Sequence, residues 1–346
     1  MMKTKYIIFP FMILATNQII AQSFAKDTVL KNNDSLLTRS TAFLAAGCIV
    51  EGASIITQYP IPYFGLGHFL QKQWKSGILY SASELALIFL EYNLRNKIES
   101  ADFTRYPNIS TKSIYAQRNG LSQLSNAYHS YAELIRHTAY YFRMIDFFDA
   151  YKTLHNERAV YNKVKFYNSS IPDLVISPFK PKYLSNPWVF VPIVITGVAA
   201  YLSSSSDKPL SSAAEVTMFN KTFSPSRAAL FLSAINAFRY LMVASGEEMF
   251  FRGVVQTELT ERFDPTIALI TTSVLFGLWH IPNNGVSGGL IGAAAGLYLG
   301  YRYTANGYDL GEVIATHFWL DWLPGVVELI RNPKESRFIY SINWKL

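Results

Sequence analysis

A group of charged residues lies inside an apolar, helix-like stretch that spans roughly residues 228–263. Two adjacent carboxylates, Glu247 and Glu248, are followed there by Arg252. Ionisable side chains at membrane depth are costly and usually face a bundle interior or a cavity, so each is a functional candidate. Glu248 and Arg252 are four residues apart and can pair on one helix face. Glu247 is rotated by about 100° from Glu248, so it stays outside that pair and available for chemistry.

Two further pairs with helical spacing follow in later apolar segments. Phe276 and His280 are four residues apart, and so are His317 and Asp321. Residues at this spacing share one face of a helix, so each pair presents its two side chains together. Three apolar segments therefore bring Glu247, two histidines and Asp321 toward one candidate centre.

In this order the motifs EExxxR, FxxxH and HxxxD resemble those of the CPBP family of intramembrane proteases, also called the ABI or type II CAAX prenyl endopeptidase family. The motifs fall within residues 228–330, under a third of the chain. The third motif ends in Asp321, where prenyl-processing members more often carry asparagine. An ionised aspartate only accepts hydrogen bonds, whereas asparagine also donates them.

The reaction that fits these residues is peptide-bond hydrolysis within or beside a membrane. Water must lose a proton near neutral pH, and the oxyanion that forms must be stabilised. With the resemblance, we predict that Glu247 activates the water with help from His280. His317 and Asp321 are predicted to position or stabilise the carbonyl oxygen; an ionised Asp321 would instead orient His317 or share a proton with it.

Three further residues are predicted to support this site, Glu248 and Arg252 by holding the first motif helix in register and Phe276 by packing beside it. The sequence does not require a cofactor, but a divalent metal such as zinc stays open. Three protein ligands plus a water make a catalytic zinc site, although HExxH is absent from the sequence. The ligands of such an ion would be Glu247, His280, His317 and Asp321.

Composition indicates a membrane protein diluted by polar segments. The chain is 50% hydrophobic and only 16% charged, whereas soluble domains are about a quarter charged. We therefore predict an all-α fold, a polytopic transmembrane helical bundle with a polar, partly helical insertion, in a bacterial-type cell membrane. The net charge of +7 comes without a nucleic-acid motif, so no nucleic-acid partner is predicted. The single cysteine, Cys48, excludes an intrachain disulfide.

Taken in order, the sequence predicts six regions. Residues 1–22 resemble a secretory signal peptide, with an uncleaved N-terminal anchor as the alternative. The other regions are two candidate membrane helices in 23–92, an extramembrane and partly amphipathic-helical insertion in 93–186, a membrane helix and loop in 187–227, a protease-like membrane core in 228–330, and a basic tail in 331–346.

Two interpretations of the insertion stay open. Residues 128–151 carry apolar and aromatic side chains at helical spacing. The helix would lie on the membrane with Arg136 and Arg143 toward lipid phosphates, or it would pack on a small domain of its own. In the two preceding spans, Glu51 and Glu84 are predicted to make polar contacts between those helices.

The protease-like core also contains a stripe of small residues. Glycines recur every fourth position and so line one face of a single span; they are Gly288, Gly292, Gly296 and Gly300. In a bilayer such a stripe lets two helix backbones approach closely.

Two classes of function remain after these observations. The first is an intramembrane endopeptidase surrounded by membrane lipids, whose substrate is a hydrophobic or lipid-modified peptide or protein. The second is a non-catalytic membrane scaffold or immunity-type binding protein with the same fold. The sequence predicts no oligomeric state.

Overall fold

The computed structural model describes residues 18, 35–56, 65–100, 111–157, 163–166, 170–204, 209–218, 221–333 and 341–344. Nearly all of them are helical, which confirms the predicted all-α class. The signal-peptide prediction for residues 1–22 falls, apart from Gln18, outside the described residues.

The α-helices of the described residues account for most of the fold. In chain order they are α1 (Ser35–Ile56), α2 (Leu66–Leu70), α3 (Trp74–Ser100), α4 (Thr111–Glu157), α5 (Ile171–Val175), α6 (Pro181–Leu184), α7 (Pro187–Ser203), α8 (Pro225–Glu248), α9 (Thr257–Arg262), α10 (Pro265–Ala305) and α11 (Leu310–Arg331). A π-helix, Met249–Gln256, joins α8 to α9, and short 3-10 turns occupy Ser177–Phe179 and Leu210–Ser212.

Three of these helical segments are long and apolar enough to cross a membrane: Pro225–Arg262, Pro265–Ala305 and Leu310–Arg331. Two shorter segments, Ala42–Ala53 and Pro187–Ser203, are also apolar. Large apolar side chains on these helices are exposed, and so extensive an apolar surface is typical of contact with lipid rather than water. Examples are Leu230, Ile270, Val274, Leu290 and Ile291. The protein is thus a polytopic helical membrane protein.

Helix α10 is a hairpin rather than one straight rod. Gly285 has φ 70° and ψ −174°, a conformation that favours glycine, and it separates helical halves at 265–284 and 286–305. A Cβ at Gly277 would lie 2.6 Å from the carbonyl oxygen of Gly289, and one at Gly300 would lie 2.6 Å from a side-chain carbon of Leu269. The predicted glycine stripe therefore packs the second half back against the first.

The described residues form two compact units. The first draws on Met1–Glu84, Tyr140–Phe190 and Met242–Phe318, and the second on Leu85–Ala139, Val191–Leu241 and Trp319–Leu346. The core of the first unit is aromatic and joins the second half of α4 to the π-helix; it includes Met144, Phe147, Phe148, Tyr151, Met249, Phe250 and Phe251.

The second unit contains a small sheet that the sequence analysis does not predict. Strands β1 (Ala213–Met218), β2 (Lys221–Phe223) and β3 (Ser341–Trp344) are antiparallel in the order β2–β1–β3. Val216 at its centre pairs with residues of both neighbouring strands and is buried. Strand β3 falls in the predicted basic tail, more than a hundred residues from its partner, so local sequence gives little indication of it.

Helix α4 corrects one prediction about the insertion. Arg143 does not reach toward lipid phosphates, because it is 3% exposed and its Nε donates to Glu84 Oε1 at 2.8 Å. Glu84 thus contacts α4, and Glu51 Oε1 accepts from the backbone N–H of Gly67 at 2.5 Å. Arg136, in the second unit, pairs with Glu91 and with Glu133, both at 3.5 Å.

Candidate active site

The two adjacent glutamates lie where α8 gives way to the π-helix. Glu247 is 2% exposed and Glu248 is fully buried, and every residue of Met249–Gln256 is buried as well. Short π-helical insertions are rare and occur frequently at functional sites. Gly246 lets α4 approach closely here, because a Cβ at this position would lie 2.8 Å from the carbonyl oxygen of Tyr141.

Glu248 is the centre of a buried polar network. Its Oε1 accepts from Arg252 Nη1 and from His317 Nδ1, both at 2.7 Å. Arg252 Nη2 also donates to the carbonyl oxygen of Gly296 at 3.0 Å. The network thus joins the first motif helix to both the α10 hairpin and α11.

Glu247 faces the two motif histidines. Its Oε1 accepts from Trp279 Nε1 at 3.1 Å, and its Oε2 lies 3.9 Å from the Nε2 atoms of both His280 and His317. A separation of 3.9 Å is too long for a direct hydrogen bond but suits two groups bridged by one water. Glu247 Oε2 is buried and has no hydrogen-bond partner among the residues that the structure describes.

The partners of the two imidazoles set their tautomers. His280 Nδ1 lies 2.8 Å from the carbonyl oxygen of Phe276, which can only accept, so this Nδ1 carries the proton. His317 Nδ1 donates in the same way to the carboxylate of Glu248. When the rings are neutral, each Nε2 therefore turns a lone pair toward Glu247. Glu247 Oε2 and the two Nε2 atoms are then all acceptors, so a proton or a water between Glu247 and either histidine would supply the hydrogen that such a contact needs.

Phe276 and the glycine stripe pack the histidines in place. The Phe276 ring lies 4.4 Å from the Arg252 guanidinium and 4.6 Å from the His280 ring, measured to ring centroids. A Cβ at Gly292 would lie 3.0 Å from His280 Cγ. Because the glycine has no side chain, the second half of α10 can support the imidazole directly.

Replacing Gly292 by alanine is expected to displace His280. The added methyl meets the ring at 3.0 Å, tighter than nine in ten real Cβ contacts, so the ring must shift by a few tenths of an ångström. We expect kcat/KM to fall by up to about tenfold, because misplacing a catalytic group by a full ångström costs about a hundredfold. Ala294→Ser on an exposed part of the same helix is the control and should leave kcat/KM unchanged. Equal activity of Gly292→Ala and wild type would mean that His280 does not need this position.

Asp321 lies one helical turn beyond His317 on α11 and is half-buried. It belongs to the second unit, whereas Glu247, His280 and His317 belong to the first. Its assigned role stays a prediction. Two site features, Trp279 and the carbonyl oxygen of Gly296, were not predicted from the sequence, because neither residue type carries a sequence signal for such contacts.

The sequence also contains GVSGG at 285–289, which matches the GxSxG pattern of serine hydrolases. In those enzymes the serine occupies a sharp turn between a strand and a helix. Here Ser287 is exposed and follows the break in a helical hairpin, so the pattern reflects helix packing rather than a nucleophile.

The geometry around Glu247 suits a divalent metal ion for each carboxylate–histidine pair but not for all three groups together. Two atoms that each lie about 2.0–2.2 Å from zinc are at most about 4.4 Å apart, which accommodates the 3.9 Å separations of Glu247 Oε2 from each Nε2. Among the described residues, however, these three side chains do not bring their ligand atoms within 4.8 Å of one another, so a shared ion would require the two imidazoles to move closer together. Histidines that bind metals usually donate their other ring N–H to a carboxylate or a carbonyl, and His317 and His280 do so here.

Fold and site together define a helical membrane protein with a buried glutamate–histidine site. Residues 228–323 match the family model described as type II CAAX prenyl endopeptidase Rce1-like. The family inferred from the three motifs is thereby confirmed over this part of the chain, which includes every predicted site residue. No curated protein and no solved structure matches the chain.

Proposed function

We propose that the protein is an intramembrane endopeptidase in which Glu247 activates a water for attack on a peptide bond. The convergence of Glu247 Oε2 with the Nε2 atoms of His280 and His317, at 3.9 Å from each, supports this proposal most directly. The three groups are held by polar contacts on the side away from the proposed water, so they are organised before a substrate arrives.

In the proposed reaction, each proton transfer has a named donor and a named acceptor. Glu247 takes one proton from the water, and the hydroxide attacks the carbonyl carbon of the peptide bond. A protonated His317 donates from Nε2 to the oxyanion, with its positive charge balanced by Glu248 at Nδ1. The proton on Glu247 then passes to the leaving nitrogen, directly or through His280, and the C–N bond breaks.

The chemistry allows a metal at the same place. If a divalent ion binds there, the side chains of Glu247, His280 and His317 would first have to move closer together to hold it, and it would then lower the pKa of the attacking water. Glu248 and the Phe276 carbonyl would then orient the two imidazoles toward it.

Trp279 is proposed to position Glu247. Its N–H holds Oε1, which leaves Oε2 directed at the histidines, and its ring stacks on Tyr140 with centroids 5.9 Å apart. Trp279→Phe keeps an aromatic ring but removes the donor, and hydrogen bonds to charged groups contribute about 1.5–3 kcal/mol. We expect kcat/KM to fall by roughly tenfold to a hundredfold with KM little changed.

Trp188→Phe is the matched control for this change, because Trp188 is exposed and lies under the Arg302 guanidinium away from Glu247. If both Trp279→Phe and Trp188→Phe keep wild-type kinetics, Trp279 does not position Glu247. A rise in KM without a loss of kcat would instead place Trp279 in substrate binding.

The substrate class follows from where the site lies. Glu247, His280 and His317 are carried by helical segments that are apolar enough to cross a membrane. A peptide must enter this environment to reach them, which favours hydrophobic or lipid-modified chains. The family resemblance adds peptides with a prenylated cysteine near the C-terminus.

The test uses purified full-length protein in lipid bilayers and three peptides. The first is a peptide with a prenylated cysteine as the fourth residue from its C-terminus. The second is the same peptide without the prenyl group, and the third is a hydrophobic membrane-spanning peptide. Mass spectrometry of the products is expected to show cleavage at one defined bond, in at least one peptide, and no cleavage by Glu247→Gln. Loss of cleavage with a chelator, restored by zinc, would identify the metal-dependent form. Binding of one peptide per protein chain, without cleavage, would favour the non-catalytic scaffold.

A further inference from the structure

A second cluster of buried ionisable groups lies in the first unit, away from the candidate active site. Glu51 on α1, His68 on α2 and Asp146 on α4 each direct one ligand-type atom inward, and these atoms all lie within 4.8 Å of one another. Glu51 and His68 are fully buried and Asp146 is 5% exposed. Glutamate, histidine and aspartate from three different helices thus converge in the interior.

A chain of hydrogen bonds fixes the orientation of His68. Thr153 donates its hydroxyl hydrogen to the backbone carbonyl of Asp149, so its oxygen accepts from the Gln73 amide nitrogen at 2.6 Å. The Gln73 oxygen then faces His68 and accepts from Nδ1 at 2.8 Å. His68 Nε2 is consequently the atom that points at Asp146 Oδ1, 2.7 Å away.

This arrangement needs positive charge at two points. A neutral His68 would face a carboxylate oxygen with a lone pair, so a proton or a cation must lie at that contact. Glu51 also meets Asp146 side chain to side chain, which requires a second proton or a cation. Two protons satisfy both contacts, and one divalent cation satisfies them with the same net charge. Exchange of two protons for one dication therefore leaves the charge of this buried site unchanged.

Three other buried carboxylates in the first unit are neutralised by arginine. Glu84 pairs with Arg143, Glu248 with Arg252 and Glu312 with Arg302. Glu51 and Asp146 instead meet each other and an imidazole. Buried charges in proteins are generally paired or bound to metals, and one imidazole with two carboxylates is a ligand set suited to zinc and similar divalent ions.

We propose that Glu51, His68 and Asp146 bind a divalent transition-metal ion of the zinc class. Neighbouring ligands of a tetrahedral zinc ion lie about 3.4 Å apart, so the His68–Asp146 contact must open by less than an ångström. Such an ion would fasten α1 and α2 to α4. Phe147, the residue after Asp146, packs on Phe250 of the π-helix, with ring centroids 6.1 Å apart. The ion would therefore stabilise the support of the first motif helix, and this inference does not depend on the proposed catalysis.

The test measures zinc in purified full-length protein that carries Glu247→Gln and His280→Ala, so that an ion at the candidate active site is not counted. After chelator treatment, zinc addition and desalting, we expect about one zinc per chain by elemental mass spectrometry. His68→Gln or Asp146→Asn in that background should weaken binding at least about tenfold, since each removes one of three ligands. His155→Gln, a change at a buried histidine on the same helix as Asp146, should retain the zinc.

Two results would overturn the proposal. The first is no zinc in the background protein, and the second is as much zinc in the His68→Gln and Asp146→Asn variants as in the background protein. If those variants do not fold, zinc-edge X-ray absorption of the background protein decides the question. One imidazole nitrogen with oxygen ligands is expected there. Sulfur ligands, two or more imidazoles, or oxygen ligands alone would contradict the assignment.

Discussion

Arg252→Ala is expected to lower the free energy of unfolding by about 3–5 kcal/mol, the usual consequence of removing one partner from a buried ion pair. Arg252 and Glu248 are both fully buried, and Arg252 Nη1 lies 2.7 Å from Glu248 Oε1. The substitution would leave the Glu248 charge with only His317 beside it and would remove the donor to the Gly296 carbonyl. Reversible unfolding in mixed detergent micelles measures the change.

Arg227→Ala is the control for this experiment, because Arg227 is exposed near the start of α8 and its removal should change stability by no more than about 0.5 kcal/mol. Arg252→Lys should be intermediate, since lysine keeps the charge but cannot donate through a rigid planar fork. An Arg252→Ala protein within 1 kcal/mol of wild type would contradict the buried ion pair.

Glu247→Gln is expected to reduce kcat by about 10²–10⁴-fold, the range that general acid–base catalysis contributes. Glutamine has nearly the same shape, and its amide oxygen can still accept from Trp279, but it cannot take a proton from water. Substrate affinity and the unfolding free energy should therefore stay close to wild type. Steady-state kinetics together with direct peptide binding separate the two effects.

Glu328→Gln is the matched control, because Glu328 is an exposed glutamate on α11. It should retain wild-type kcat and binding. If Glu247→Gln keeps more than a tenth of the wild-type kcat, the assignment of Glu247 as general base is wrong. If it loses binding and catalysis together, Glu247 contributes to the structure of the site rather than to proton transfer.

Spacing along one helix is the part of the site that the sequence predicts well. Glu248 and Arg252 are four residues apart, and local helix geometry alone brings them together. The contact between His317 and Glu248 joins residues 69 positions apart, so it depends on how α11 packs and has no local signal. The contact between Trp279 and Glu247 also has no local signal. His280, the next residue, belongs to a motif, but the tryptophan does not.

Helix packing explains the largest difference between the expected and observed fold. The sequence is compatible with residues 128–151 lying on the membrane or packing on a domain of their own. The structure instead places Phe147 in the core of the first unit and pairs Arg143 with Glu84. A helix that is aromatic on several faces gives an ambiguous pattern, because periodicity shows that a face is apolar but not which element covers it.

A time course of intact peptide and both fragments distinguishes a site that hydrolyses peptides from one that only holds them. Purified wild-type protein in bilayers would be mixed with a large molar excess of the peptide cleaved best in the substrate panel. If Glu247 activates the water, both fragments should appear in equal amounts and exceed the amount of protein many times over. Tight binding of one peptide per chain, with no fragments above those formed by Glu247→Gln, would contradict it.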